Sequence, residues 1–406
     1  MQNRSYLGYF TSKTTPLLRT EKGIMAPMDQ ANNENQSNRR DFISGRATVR
    51  ALGQLADTAL GAPSSSGQEN SPPLAANRGS YLTQLSRRAM ACEFEILWDQ
   101  ERYGSSTDTA LAALDVVDHL ESQLSIYRAD SEVSQLNQQA HQQPVKVSRT
   151  LYQLLQECKT LHEQTAGCFD ITSSPLSKLW GFHRRQGELP GNEAIELALQ
   201  TVGSQWLILD SGEQTVQFEK PALEINLGSI GKGYALDRCS LLLEEAEISD
   251  YIMHGGMSSI IARGSRQPSD DGQPGWHVAL RHPLKPEKRL AEIRLHNRAL
   301  GTSGSANQFF YHQGKRFGHV IDPRTGHSAD EVLSVTVLAP TAAQADALAT
   351  AFFVMGQEAA FDYCGQHPEV AALFVLPGSL QGAIQIQTWG LTENDWWPSE
   401  LGAGEA

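Results

Sequence analysis

Between residues 107 and 125 the chain reads TDTALAALDVVDHLESQLS, and apolar side chains return every three or four positions at Leu111, Leu114, Val117, Leu120 and Leu124. This spacing predicts an amphipathic helix. VSRTLYQLLQECKTLHEQ repeats the rhythm at Leu151, Leu154, Leu155, Cys158 and Leu161 and predicts a second. Elsewhere the period falls to two: ALEINLGSI (Leu223, Ile225, Leu227), WHVAL (Trp276, Val278, Leu280) and LSVTVLAP (Leu333, Val335, Val337) read as strands, as does the β-rich run ALFVL near Leu373. APTAAQADALATAFFVMG predicts a further helix, with Thr341 as N-cap and Gly356 just past its end. The Pro- and Gly-marked stretches RRQGELPGNE and GSRQPSDDGQPG read as surface loops. From Tyr81 onward these elements form one continuous α+β region without internal repeats.

Residues 1–79 break this rhythm. They are rich in Asn, Gln, Ser, Thr, Pro and Gly and offer too little apolar surface to offset chain entropy, so a mostly disordered leader is expected ahead of a domain spanning 80–406. Within the leader, Arg39-Arg40 followed by Phe42 and Ile43 resembles a twin-arginine export signal, although Arg46, Arg50 and Asp57 interrupt its apolar core. Export to the periplasmic side of a membrane and a short amphipathic helix in a cytoplasmic protein both stay open. With 46 acidic against 33 basic side chains the net charge is −13, which argues against nucleic acid or an anionic membrane surface as partner. The five cysteines form no C-x-x-C pair and read as small buried hydrophobes. No apolar run approaches the ~18 residues of a transmembrane segment.

Three stretches carry candidate chemistry. INLGSIGKGYALD, Ile225 to Asp237, runs from a strand pattern through glycines into a helix pattern. Such a loop brings backbone N–H groups, a helix N-terminus and the charge of Lys232 toward an anion; a glycine turn packed for its own sake, with Lys232 solvated, is the alternative. Asp346 and Thr350 share one face of the last helix, expected on its surface among alanines. Their hard oxygens suit Mg²⁺, while an aspartate near a helix start is also favoured by the helix dipole. FGHVIDPRTG, Phe317 to Gly326, places His319 before a proline-stiffened turn, where Asp322 and Arg324 either aim chemistry or form a solvated pair.

Taken in order, these motifs resemble the ApbE-like family of FAD:protein FMN transferases. The resemblance runs from about Tyr81 to Trp389 and includes MAC at Met90, SIYRADSEVSQLN, FDITSSPLSKLWGF, GTSGSANQFF and DALATAFFVMG. It implies an α+β fold with a T-fold-like core and a second small α/β lobe, enclosing a cleft for FAD and Mg²⁺. It implies Mg²⁺ ligation by Ser229, Asp346 and Thr350, and an FAD site formed by Met90, Tyr127, Cys168, Phe169, Asp170, Asn226, Lys232 and Val320. His319 would stand near the reacting phosphate as general base, with Lys232 as its catalytic partner and Asp170 as the next candidate base. The implied reaction moves FMN from FAD to a threonine hydroxyl of a target flavoprotein and releases AMP. An Mg²⁺-dependent FAD pyrophosphatase and a non-catalytic FAD-binding protein are the alternatives. The chain departs from the family pattern at Ala91-Cys92, where the family has Gly-Thr, at Asn226, which replaces a frequent acidic residue, and at Met257, which replaces Asn or Asp.

Overall fold

Eight strands of one antiparallel sheet lie side by side in the order in which the chain makes them: β1 (Leu82–Ala89), β2 (Cys92–Asp99), β3 (Tyr251–Gly255), β4 (Ser259–Arg263), β5 (Arg298–Gly304), β6 (Ser334–Ala339), β7 (Ala371–Pro377) and β8 (Ile384–Trp389). The computed structural model describes residues 81–184, 187–266, 272–305, 308–380 and 382–399. These lie in the compact unit that begins at Arg78. The leader, with its Arg39-Arg40 motif, lies outside the described residues.

Long excursions leave the sheet between strands and return to the neighbouring position. Between β2 and β3 run helices α1 (Thr107–Leu124), α2 (Glu132–Gln139), α3 (Arg149–Gln164), α4 (Ser174–Leu179), α5 (Asn192–Leu199) and α6 (Gly231–Glu245). Between β6 and β7 runs α7 (Ala342–Gln366). One sheet face carries Phe94, Ile96, Tyr251, Met253, Val335 and Val337 into a core with α1, α6 and α7. The opposite face buries Ile260, Leu300, Leu373 and Val375 against a three-stranded sheet of Trp276–Arg281, Arg289–Leu295 and Trp396–Pro398. The central strands are thus covered on both faces, which is why β4 reads as a continuous apolar run rather than an alternation.

The helices predicted within 107–125 and 147–164 form over Thr107–Leu124 and Arg149–Gln164, and all the predicted facing residues are buried except Leu111, which is exposed. The helix predicted to stop at Gly356 instead breaks there, at φ 80° and ψ 174°, and resumes to Gln366. A straight helix of its 25 residues would run about 37 Å. The break turns the chain back, so that Ala371 of β7 pairs with Leu338 at the end of β6. The strand predicted at ALEINLGSI joins no ladder. Leu223, Ile225 and Leu227 are buried as their alternation requires, but the side-chain amide of Asn137 takes both backbone bonds of Ile225, at 2.9 Å each, where a neighbouring strand would otherwise serve.

No helix among the described residues is long and apolar enough to cross a membrane. All five cysteines are free; four are buried and Cys92 is half-buried.

Candidate active site

Asp346 lies one turn into α7 and is 6% exposed, so it sits inside the protein rather than on the helix surface, where the sequence pattern had placed it. Its Oδ2 accepts hydrogen bonds from the Gly233 N–H and the Ser259 hydroxyl, both at 2.8 Å, and lies 3.7 Å from Lys232 Nζ. Burial pushes this carboxyl up, against the pull of Lys232, Ser259 and Gly233. Two glycines make the packing possible. A Cβ at Gly233 would stand 2.0 Å from the Ala342 carbonyl oxygen, and one at Gly301 of β5 would stand 2.4 Å from that of Ala345. Thr350, one turn further along α7, donates to the Asp346 carbonyl at 3.2 Å and lies 3.3 Å from the Ser303 hydroxyl.

The glycine loop ends where α6 begins. Asn226 donates its N–H to the Ile171 carbonyl and accepts the Gly228 N–H on its side chain. Ser229 and Lys232 then open on a cavity of about 1320 Å³. Cys168, Asp170, Asn226, His319, Val320, Asp346 and Thr350 line the same cavity. Most residues singled out from the sequence are therefore brought together, although they come from distant parts of the chain. Met90, Tyr127 and Phe169 are not on this wall. Met90 sits in the tight turn between β1 and β2, its N–H donating to Glu121; Tyr127 is exposed after α1; Phe169 is buried in the main core.

His319 follows the hairpin Phe309–Gly318. Its Nδ1 faces the Gln308 carbonyl at 3.2 Å, and because a carbonyl only accepts, Nδ1 carries the proton of the neutral ring. Nε2 keeps the lone pair. Burial lowers the His319 pKa, with the Gln308 contact opposing, so the ring is neutral near pH 7. The turn beyond it is closed by its own residues. Asp322 accepts from the Arg324 N–H, Nε and NH2 at 2.8, 3.0 and 2.8 Å, and its carbonyl accepts from Gly326. Trp180, in a small cluster with Leu176, Phe182 and Ile195, donates its indole N–H to the Gly326 carbonyl at 2.8 Å. Asp322 and Arg324 therefore brace the turn.

Asp170 is committed elsewhere. Its carboxylate accepts from Thr172 N–H and hydroxyl, from Ser204 N–H and hydroxyl, and pairs with His162 at 3.2 Å. Burial alone would push it up, but the bonds from His162, Thr172 and Ser204 outweigh burial and hold it below its ordinary value. A carboxylate whose oxygens are occupied and whose pKa is lowered is a poor proton acceptor, which makes Asp170 a weaker candidate base than His319. Burial pushes the Cys168 thiol up to about 11, so it is not a nucleophile near pH 7.

Among the described residues no cluster of three His, Cys, Asp or Glu side chains could hold a metal alone. Among the residues that line the cavity, Asp346, Ser229 and Thr350 offer one carboxylate and two hydroxyls, a hard donor set that suits Mg²⁺ completed by phosphate and water. Asp346 fits that task, because Oδ2 is occupied while Oδ1 accepts no hydrogen bond among the described residues, and a buried carboxylate with only partial compensation favours a cation.

Ser259 and Gln308, which orient Asp346 and His319, were not singled out from the sequence. Both act through partners far away in the chain or across a strand pair, and no local pattern marks them.

The model of the ApbE family matches residues 90–374. The FAD:protein FMN transferase of Haemophilus influenzae is 30% identical over 300 residues, covering 71% of this chain and 85% of that protein. The transferase of the same name from Escherichia coli K12 is 34% identical over 268 residues, covering 64% and 74%. Among solved structures, the ApbE protein of Thermotoga maritima superposes with a TM-score of 0.66 at 28% identity, covering 75% of this chain and 96% of that one. The flavin transferase ApbE from Vibrio cholerae superposes with a TM-score of 0.65 at 26% identity, covering 80% and 100%.

Proposed function

Because the chain belongs to the ApbE family, we propose that it is an Mg²⁺-dependent FAD:protein FMN transferase whose acceptor group is a threonine hydroxyl. One observation carries this reading: Ser229, Lys232, His319, Asp346 and Thr350, drawn from three separate stretches of the chain, open on one cavity. The eight-stranded sheet with α1, α6 and α7 serves as the T-fold-like core. The cluster around Trp180 belongs to the second lobe, and FAD lies in the cleft between them. Residues 80–406 make up the transferase domain.

In the reaction, the threonine oxygen forms a bond to the flavin-side phosphorus while the bond from that phosphorus to the bridging oxygen breaks, and AMP leaves with the bridging oxygen. His319 Nε2 takes the hydroxyl proton, which its tautomer and lowered pKa prepare it to do. Lys232 neutralises charge that develops on the pyrophosphate oxygens. Mg²⁺, held by Asp346, Thr350 and Ser229, would supply Lewis-acid stabilisation of the same charge. Cys168, Asp170, Asn226 and Val320 line the nucleotide's bed, while Met90, Tyr127 and Phe169 lie off its wall.

The test is incubation of the protein with FAD, Mg²⁺ and a threonine-bearing acceptor domain, followed by mass analysis of the acceptor and its Thr→Ala variant. Flavin phosphate on the threonine-bearing acceptor alone is the expected result. Free FMN plus AMP with unmodified acceptor would make water the acceptor, and unchanged FAD would leave only binding.

A further inference from the structure

Helix α6 begins without a side-chain cap, and α7 begins with one capping hydroxyl, so most of the first N–H groups of both must find partners beyond their own ends. α6 has no acidic residue in its first turn, and its N-cap, Ile230, makes no side-chain hydrogen bond. α7 also has no acidic residue in its first turn. The first N–H groups of any helix lack partners within it and must find them elsewhere. Here each helix supplies the other. The Gly233 N–H in the first turn of α6 donates to Asp346 of α7. The Ala342 and Ala343 N–H groups in the first turn of α7 donate to Asp237 Oδ1 and Oδ2 of α6, each at 2.8 Å. Thr341 completes the α7 terminus by accepting the Gln344 N–H at 3.2 Å.

This exchange fixes more than two helix ends. Asp346 is the carboxylate between Lys232, Ser259 and the Gly233 amide, and its place along α6 depends on where the first turn of α7 is held. Asp237 holds that turn with two bonds, from a half-buried position on α6. We propose that Asp237 is a positioning residue for the reaction: by fastening the first turn of α7 to α6 it sets the geometry of Asp346 and hence the affinity of the site for its divalent cation. The proposal rests on the reading of Asp346 as an Mg²⁺ ligand.

Asp237→Asn keeps the shape of the side chain but turns an amide NH2 toward one of the two backbone N–H donors. Mg²⁺ is titrated by calorimetry into the full chain saturated with FAD, without acceptor, for the unchanged protein, Asp237→Asn and Asp346→Ala. Asp237→Asn is expected to weaken Mg²⁺ binding by about tenfold or more, the size of one lost charge-assisted hydrogen bond, while FAD affinity without Mg²⁺ stays within about twofold. A purely structural role would lower the unfolding midpoint and leave the Mg²⁺ affinity unchanged, and that result overturns the proposal. If Asp346→Ala binds Mg²⁺ as the unchanged protein does, the metal reading itself fails, separately from the role of Asp237. Should Asp237→Asn not fold, the unchanged chain decides. Coupling is reciprocal, so Mg²⁺ must slow hydrogen exchange at the Ala342 and Ala343 amides more than at those of α5. Equal slowing at both places overturns the proposal.

Discussion

The Asp346 half of the site rests on two helix N-termini that hold each other across more than a hundred residues of chain, whereas His319 is carried by a turn whose bonds, that from the Trp180 indole apart, close within a few residues. The first half is buried and charged, with a carboxylate, an ammonium group and main-chain amides arranged against one another. The second presents a neutral imidazole beside apolar rings such as Phe182. The difference suits the two tasks proposed for them. Gathering charge around phosphate requires fixed dipoles supplied by distant elements, while proton transfer requires one lone pair at a set place.

The comparison breaks most severely at Asp346. Asp346→Asn preserves an acceptor for the Gly233 and Ser259 donors but removes the charge, so we expect FMN transfer to fall by at least about 10³-fold, in the range of losing a preorganised electrostatic contact or more. The unfolding midpoint should move by no more than a few degrees. Asp346→Ala would also strand two buried donors, at roughly 1–3 kcal/mol each, so it confounds chemistry with folding. Transfer assays beside thermal denaturation separate the two; near-normal transfer by Asp346→Asn at limiting Mg²⁺ would remove the carboxylate from the metal site.

The other half is expected to respond more mildly and in a different currency. His319→Ala should slow transfer by roughly 10²–10⁴-fold, the usual worth of a general base, with FAD affinity far less affected. Because burial holds the His319 pKa below 6.5, the base form persists as pH falls through 6.5 and is lost only below it. The rate should therefore decline on an acidic limb displaced below 6.5, and the limb should vanish in the variant. A proportional loss of binding and rate would make His319 a binding residue.

The same contrast explains what could be read from the chain. The turn was legible because Asp322, Pro323, Arg324 and Gly326 adjoin one another and their bonds are local. The strand-like alternation at Leu223, Ile225 and Leu227 described burial correctly and pairing wrongly, since a side-chain amide from Asn137 stands in for the ladder. Strands β4 and β5 escaped notice because cover on both faces erases alternation. Asp346 and Lys232 could be named, but Asp237 and Ser259 are recognisable only once α6, α7 and β4 meet. Residue chemistry was thus visible where partners are neighbours and hidden where the fold brings them together.

Asp170 sharpens the comparison from outside both halves. Asp170→Asn should reduce stability by about 3–5 kcal/mol, as breaking a buried pair does, yet leave the acidic limb of the rate in place, since in the proposed mechanism His319 and not Asp170 takes the proton. The pH dependence has a definite sign. The Asp170 pKa is held below its ordinary 3.8, so its contribution is present above that value and is lost as pH falls through the folded pKa. His162 is raised above 6.5 by Asp170 despite the opposing effect of burial, which is the largest influence on it, so its contribution is full below 6.5 and is lost as pH rises through the folded value. Denaturant unfolding of the two proteins should therefore differ most between about pH 4 and 6.5. A constant difference across pH would remove the charged pair as its source.

The smallest effect is expected where the sequence drew most attention, at Arg324. Its guanidinium grips Asp322 through two bonds, but the side chain is 44% exposed and the pair is screened by water. What keeps the turn closed is three bonds to its main-chain groups: the Arg324 N–H to the Asp322 carboxylate, the Gly326 N–H to the Asp322 carbonyl, and the Trp180 indole to the Gly326 carbonyl. Arg324→Ala leaves all three in place. It should cost below about 1 kcal/mol in stability and change the transfer rate by no more than about threefold, measured by denaturant unfolding and by steady-state flavinylation. Trp180→Phe removes one of those three bonds while keeping an aromatic ring in the cluster, so its effect on transfer should exceed that of Arg324→Ala. If Arg324→Ala proved the more damaging of the two, the guanidinium would be meeting substrate rather than bracing a turn, and the His319 half would depend on charge as the Asp346 half does.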